Sequence, residues 1–230
     1  MSKPSVIAID GPSAAGKTTL ARQLAERLGY LYFDTGVMYR AVTLAALRAG
    51  VNLADEAAVS ALARTLHIDV LPPTVPDGRP STVCLNGEDV TWRLREADID
   101  AKVSIPSAYA GVREAMTQQQ RRIAERGRVV MVGRDIGTVV LPNADLKLYI
   151  DASVEKRAWR RWLEYQRNGQ PADYEEILAA MSNRDRLDSE RAVAPLRPAE
   201  DAVVIDTTHM SAQEVLDYVL RLIEQRDGAE

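Results

Sequence analysis

The chain has a single cysteine, Cys84, a single phenylalanine, Phe33, and two histidines, His67 and His209, in 230 residues. One cysteine excludes an intramolecular disulfide and fits a reducing compartment. Two histidines far apart in sequence argue against a His-rich metal site, and neither neighbours a nucleophile signature of the Ser/His/Asp kind. No apolar run approaches the roughly 20 residues that a membrane-spanning helix takes. Met1-Ser2-Lys3-Pro4 leads into a short strand pattern with no signal-peptide apolar region, so a cytoplasmic location is expected. Lysine is scarce as well: 5 Lys stand against 24 Arg, and the net charge is −4. That acidity argues against a nucleic acid polymer as partner, which needs an extended basic face. The arginine excess fits two readings, biased composition or a use for the planar guanidinium fork, which suits phosphate. Only the positions of the arginines separate them.

Hydrophobic residues make up 46% of the chain, too many for a disordered one at so small a net charge. Val6–Ile9, Tyr30–Phe33, Val129–Val132, Leu146–Ile150 and Val203–Ile205 read as five buried strands, with helical patterns between them. The expected fold class is α/β: a five-stranded parallel sheet with helices on both faces. The helices are predicted from about residue 37 to Gly50, over 55–66, from about 107 to 126, over 153–167 and over 174–188. A last one starts at Ser211, with Glu214 completing a capping box. Thr35 is read as the cap of the helix beginning near Val37. Between residues 67 and 105 the style changes: Pro72-Pro73, Pro76-Asp77-Gly78 and Asn86-Gly87 surround Val83-Cys84-Leu85. That is hairpin chemistry, and it predicts a small antiparallel lobe inserted into a single 1–230 domain.

Gly11-Pro12-Ser13-Ala14-Ala15-Gly16-Lys17-Thr18 matches G-x-x-x-x-G-K-[ST] between a strand and a helix. The glycines let successive amides point at an anion, and the helix that follows adds the positive end of its dipole. Lys17 reaches β- and γ-phosphates, and the Thr18 hydroxyl is a ligand for Mg²⁺ brought with ATP. The guanine-reading pattern N-K-x-D is absent. The strand Val129–Val132 runs into Gly133-Arg134-Asp135 rather than into the Asp-Glu that primes water in ATPases. A kinase therefore fits better than a switch or a hydrolase. Asp34-Thr35 through Arg40 follows the second strand at the end where open α/β sheets place ligands. Tyr174, Ile177, Leu178 and Met181 form a helical stripe that continues into Arg184, Asp185, Asp188 and Arg191. The stripe either emerges into solvent or faces a polar cavity, since buried charge needs a partner. Arg157, Arg160 and Arg161 crowd one side of the preceding helix, as a solvated face or as a lid (about 155–170) that closes on phosphate.

These segments resemble those of the bacterial cytidylate kinases, P-loop nucleoside monophosphate kinases, over essentially the whole length. The resemblance is carried by GPSAAGKTT (11–19), FDTGVMYR (33–40), GVRE (111–114), GRDIGTVV (133–140) and RAVAPL (191–196). It implies transfer of the ATP γ-phosphate to CMP or dCMP; separately, the lack of coiled-coil heptads and of long apolar runs predicts a monomer without membrane attachment. A kinase for UMP or AMP, or a non-catalytic ATP-binding regulator, is the alternative. By the same resemblance, residues 11–19 (through Thr19), with Arg157 and Arg161, hold ATP. Thr35, Arg40 and Arg134 meet the acceptor phosphate, and Tyr39 also binds CMP. Ser104, Arg113 and Asp135 read cytosine, and Arg184, Asp188 and Arg191 serve ribose and phosphate. Lys17, Arg134 and Arg191 are the implied catalytic residues, and Thr18 the implied metal ligand. Two departures stand out: Ala14 replaces a third glycine, and Val132 replaces an acid before Gly-Arg-Asp, with Asp34 as the substitute acid.

Overall fold

The computed structural model describes residues 3–191 and 193–227; Ala192 of the 191–196 motif lies outside them, as do both chain ends. In chain order the elements are β1 (Val6–Asp10), α1 (Lys17–Leu28), β2 (Leu31–Asp34), α2 (Gly36–Arg48), α3 (Glu56–Thr65), β3 (Ile68–Leu71), β4 (Thr82–Leu85) and β5 (Glu88–Asp89). Then come α4 (Ala97–Asp100), α5 (Ser104–Ala108), α6 (Ala110–Ala124), β6 (Val129–Val132), β7 (Leu146–Asp151), α7 (Val154–Arg167), α8 (Tyr174–Glu190), β8 (Val203–Asp206) and α9 (Ala212–Asp227). A 3-10 turn covers Arg93–Arg95, and a single π-helical turn Ile136–Val140. The large sheet has the order β2-β6-β1-β7-β8, and a second sheet has the order β3-β4-β5. Among the described residues no helix is long and apolar enough to cross a membrane.

The chain divides into two compact units, Met1–Tyr30 with Val130–Glu230, and Leu31–Val129. In the first, β1 pairs in parallel with β7 (Ile7 with Leu146, Ile9 with Leu148), and β7 with β8 (Leu148 with Val203, Ile150 with Ile205). Ile7, Ala8, Ile9, Val130 and Met131 are fully buried, which is why these strands carry no polar face. Each large apolar side chain so covered contributes roughly 1.5–3 kcal/mol. Because β1, β7 and β8 run in parallel, the segments leaving their C-terminal ends gather on one edge of the sheet: 11–16 after β1, 152–153 after β7 and 207–211 after β8. Of the helices that start there, α7 and α9 are capped by side chains, as is α8 at its own start after α7. The Ser153 hydroxyl accepts from the Lys156 amide at 3.2 Å, and Asp173 accepts from the Glu176 amide at 3.0 Å. The box at Ser211 forms in both directions, with Ser211 N donating to Glu214 at 2.7 Å and Glu214 N donating to the Ser211 hydroxyl at 3.2 Å.

In the second unit the Asn86-Gly87 pair turns β4 into β5, both residues with positive φ (51° and 87°) as such a hairpin requires. The Arg79 guanidinium staples this small sheet, buried between Asp77 and Asp89. Two local expectations are corrected here. The helix expected from about 107 to 126 is broken: Tyr109 is extended (φ −76°, ψ 127°) between α5 and α6. Its hydroxyl donates to the Leu53 carbonyl at 2.8 Å, a partner 56 residues away that no local pattern announces. Thr35 takes the N-cap position of α2 in a helical conformation without a side-chain cap bond, and Asp34 Oδ1 instead accepts from the Gly36 amide at 2.9 Å. Gly111 lets α6 press on α3, because a Cβ there would lie 2.7 Å from the Ser60 side chain.

Candidate active site

The loop after β1 is shaped by backbone needs. At Gly11 φ is 142°, and a Cβ would stand 2.0 Å from the Ile150 carbonyl oxygen, so only glycine fits between β1 and β7. Gly16 (φ 102°) turns the chain into α1, whose first amides face the loop. Ala14 holds the left-handed conformation, φ 61°, which explains why a glycine suits this position. The Lys17 ammonium donates to the Pro12 carbonyl at 2.6 Å, and the Thr18 hydroxyl stands on the exposed first turn of α1. The loop forms one wall of a cleft of about 880 Å3, with Trp159, Arg160 and Leu163 of α7 and Met210 and Val215 near α9 opposite.

Two arginines grip the loop. Arg157 is buried, donates from Nε to the Ala152 carbonyl at 2.8 Å and from Nη1 to the Ser13 carbonyl at 3.4 Å, and forms a two-pronged ion pair with Asp185. Arg160 donates to the Ala15 carbonyl at 3.2 Å and the Thr207 carbonyl at 2.7 Å. Burial, with Arg157 close by, pulls the Arg160 guanidinium below its ordinary range. Arg161, one residue on, also lines the cleft and pairs with Glu164 at 2.9 Å. Arg160 and Asp185 figure in the sequence pattern only as members of a helix face and a helical stripe, and Thr207, whose hydroxyl donates to the Ala15 carbonyl at 3.0 Å, is a site residue that the pattern did not single out. Asp10 is another. Its one signal in the sequence was an acid closing an otherwise apolar strand.

A second cluster lies in the same unit. Arg134 Nε stands 2.9 Å from Asp188 Oδ2, close in distance but not aligned as a hydrogen bond, and Arg184 Nε is 4.0 Å from that oxygen. Burial pulls the Arg134 guanidinium below its ordinary range; Asp188 opposes this, and the Arg184 and Arg191 charges add to it. Arg191 donates to the Ala194 carbonyl. Arg134 and Arg184 both lie within 4.0 Å of Asp188 and the Arg191 charge also acts on Arg134, a grouping of guanidinium groups that suits an anionic ligand. The helical stripe of α8 thus turns from Met181, its buried apolar member, to acids that each hold an arginine. Asp135 is buried.

The remaining predicted residues gather in the other unit. The Arg113 guanidinium lies over the Tyr39 ring, 5.7 Å from its centroid, and donates to the Ser107 carbonyl at 3.3 Å. Arg40 pairs with Asp100 at 2.6 Å and donates to the Leu94 carbonyl at 3.3 Å. Thr35 is buried where β2 ends, and Ser104 is exposed at the start of α5.

A cradle for one anion and a guanidinium cluster for another accord with what the chain is similar to. The sequence profile of the cytidylate kinase family matches residues 7–225. A cytidylate kinase of Chloroflexus aggregans is 53% identical over 220 residues, covering 96% of this chain and 94% of that protein. One of Bacillus subtilis is 49% identical over 226 residues, covering 98% and 99%. In fold, the chain is similar to an uncharacterised protein of Eubacterium ventriosum, with a TM-score of 0.51, 13% identity, and 95% and 97% of the two chains covered. A match running nearly end to end, with about half the residues identical, leaves one conclusion: the chain belongs to the cytidylate kinase family.

Proposed function

We propose that this protein transfers the γ-phosphate of ATP to CMP or dCMP, giving ADP and CDP or dCDP, as a cytoplasmic monomer. Beside the family match, the observation that carries the reading is the grouping of Arg134, Arg184 and Arg191 near Asp188, in the same unit as the phosphate cradle. Hydrolysis would leave that cluster idle.

In this reading residues 11–19 hold the triphosphate through backbone amides, and Lys17 moves from the Pro12 carbonyl onto the β- and γ-phosphates. Arg157 and Arg160 keep the loop in shape through its carbonyls, and Arg161 swings from Glu164 when α7 closes as a lid over about 155–170. Arg134 and Arg191 neutralise charge on the transferred group, while Thr35, Tyr39, Arg40, Arg184 and Asp188 orient the acceptor nucleotide. Its phosphate is already anionic, so the reaction requires no strong general base, in keeping with two histidines. Asp135 accepts from the cytosine N4 amino group, and Arg113 and Ser104 donate to N3 and O2. The 67–105 lobe supports that base-reading set. Uracil offers an acceptor where cytosine offers N4–H, which leaves Asp135 facing a lone pair.

Among the described residues no cluster of three or more His, Cys, Asp or Glu gathers around a point. Mg²⁺ fits such a site, because it keeps water and phosphate oxygens and takes only one or two protein oxygens. The exposed Thr18 hydroxyl is a hard oxygen at the right end of α1 for that role. When bound with ATP, the ion supplies charge neutralisation at the phosphates. A coupled ADP-release assay with CMP, dCMP, UMP and AMP tests the proposal. CMP and dCMP are expected to lead by at least about tenfold, and a panel led by UMP or AMP refutes it.

A further inference from the structure

Asp10 closes β1 immediately before Gly11, and it is 4% exposed. One of its carboxylate oxygens accepts from the Ile136 amide at 2.8 Å, and the other accepts from the Gly137 amide at 2.7 Å. Those amides open the single π-helical turn Ile136–Val140, directly after Arg134 and Asp135. Such turns are rare and recur at functional sites. The fit is tight: a Cβ on Gly137 would come within 3.2 Å of Lys147 and 3.4 Å of Asp10 itself. A carboxylate bridging two successive amides fixes the plane of the peptide between them, and so the direction in which the preceding residues leave β6.

Burying a carboxylate is costly when no cation pairs with it directly. The Lys147 side chain passes beside Gly137, but its ammonium is engaged by Asp201 at 2.8 Å and by the Pro142 carbonyl. Lys17 favours the ionised form through its field, and Asp135 opposes it. Mere filling of this space could be met by a neutral side chain. Two amides on one anion is a more exacting arrangement.

We infer that Asp10 is a positioning residue: its carboxylate ties the start of the ATP cradle to the turn that carries Arg134 and Asp135, and so sets the placement of the acceptor nucleotide. The inference rests on the reading of Arg134 and Asp135 as acceptor contacts. Asp10→Asn keeps the volume and one acceptor oxygen but turns an amino group toward one of the two amides. The experiment measures CMP and ATP dissociation constants by calorimetry, the melting temperature at pH 8, and hydrogen exchange of the Ile136 and Gly137 amides by NMR.

The expected result is a CMP constant raised about tenfold, as for one orphaned amide. The ATP constant stays within about twofold, exchange at both amides is faster, and the melting temperature stays within a few degrees. Gly137→Ala, which pushes on the same turn without touching the carboxylate, is expected to give the same CMP-selective loss should Asp10→Asn fail to fold. Equal loss of CMP and ATP affinity overturns the inference, as does faster exchange with CMP affinity unchanged. Failure of the unsubstituted protein to bind CMP or dCMP, by contrast, removes the reading of Arg134 and Asp135, and this inference with it.

Discussion

The Lys17 ammonium lies 2.6 Å from the Pro12 carbonyl, folded back along the rim of the loop to which it belongs. One partner there is a neutral carbonyl, which a phosphate oxygen readily replaces because a charged acceptor makes the stronger bond. Lys17→Ala is expected to lower kcat at least about a hundredfold, as loss of a transition-state charge contact does. The melting temperature should stay within a few degrees, since Lys17 is half-exposed and outside the core. Turnover near that of the unsubstituted enzyme would count against the donor site.

Gly11 and Ala14 make a paired test of loop geometry. Gly11→Ala places a methyl 2.0 Å from the Ile150 carbonyl oxygen at a φ of 142°, backbone against backbone with nothing flexible to yield. Urea unfolding is expected to show a loss above about 4 kcal/mol. Ala14→Gly relieves a φ of 61°. The roughly 1 kcal/mol gained is offset by about as much unfolded-state entropy. Its stability is therefore expected within about 1 kcal/mol of the unsubstituted chain, with ATP affinity retained.

Asp135→Ala is expected to erode base selection. The ratio of kcat/KM for CMP over UMP should fall at least about tenfold, because the variant no longer leaves a buried acceptor facing another acceptor. An unchanged ratio would assign base reading to other side chains.

Burial pushes the Asp10 carboxyl up to about 6, against the Ile136 and Gly137 amide bonds that pull it down. Between about pH 4 and 6 the folded protein then holds a proton that the unfolded chain has lost, so the Asp10 contribution to stability declines as pH rises through that window. It is fully present below about pH 4 and spent above about pH 6. Relative to Asp10→Asn, the unsubstituted protein should lose about 1.4 kcal/mol per pH unit across the window. Parallel stability curves for the two proteins would contradict the raised pKa.

Trp159 is 45% exposed, stacks on Trp162 with ring centroids 4.9 Å apart and meets the edge of Tyr174 at 6.4 Å. It borders the cleft beside the phosphate loop. ATP is expected to change the tryptophan emission in a saturable way, and Trp159→Phe to abolish most of that change. A titration identical in the variant would assign the signal to another tryptophan.

Much of the fold was legible because its causes are local. Val129–Val132 is apolar on both faces, as a covered parallel strand must be, Leu146, Leu148 and Ile150 form an apolar face, and Asp55, Ser153 and Ser211 announce helix starts through bonds spanning three residues. The break at Tyr109 was not legible, because the hydroxyl that anchors it reaches the Leu53 carbonyl. The cap of α2 was misassigned between neighbours, since Asp34 and Thr35 are both good acceptors and only the backbone angles distinguish them.

Although the demand for glycine at position 11 also comes from the distant Ile150 carbonyl, the phosphate-loop motif, the apolar strand before it and the helical pattern after it are legible in the linear chain. The sorting of the arginines is not. Arg157, Arg160 and Arg161 are near neighbours on α7, yet one is locked to Asp185, one to Thr207 and the loop, and one to a surface glutamate. That division depends on how α7 is rotated against α8 and the end of β8, which packing between distant segments decides. The same holds for Asp10, whose partners lie 126 and 127 positions away and meet it only because β1 runs through the middle of the sheet.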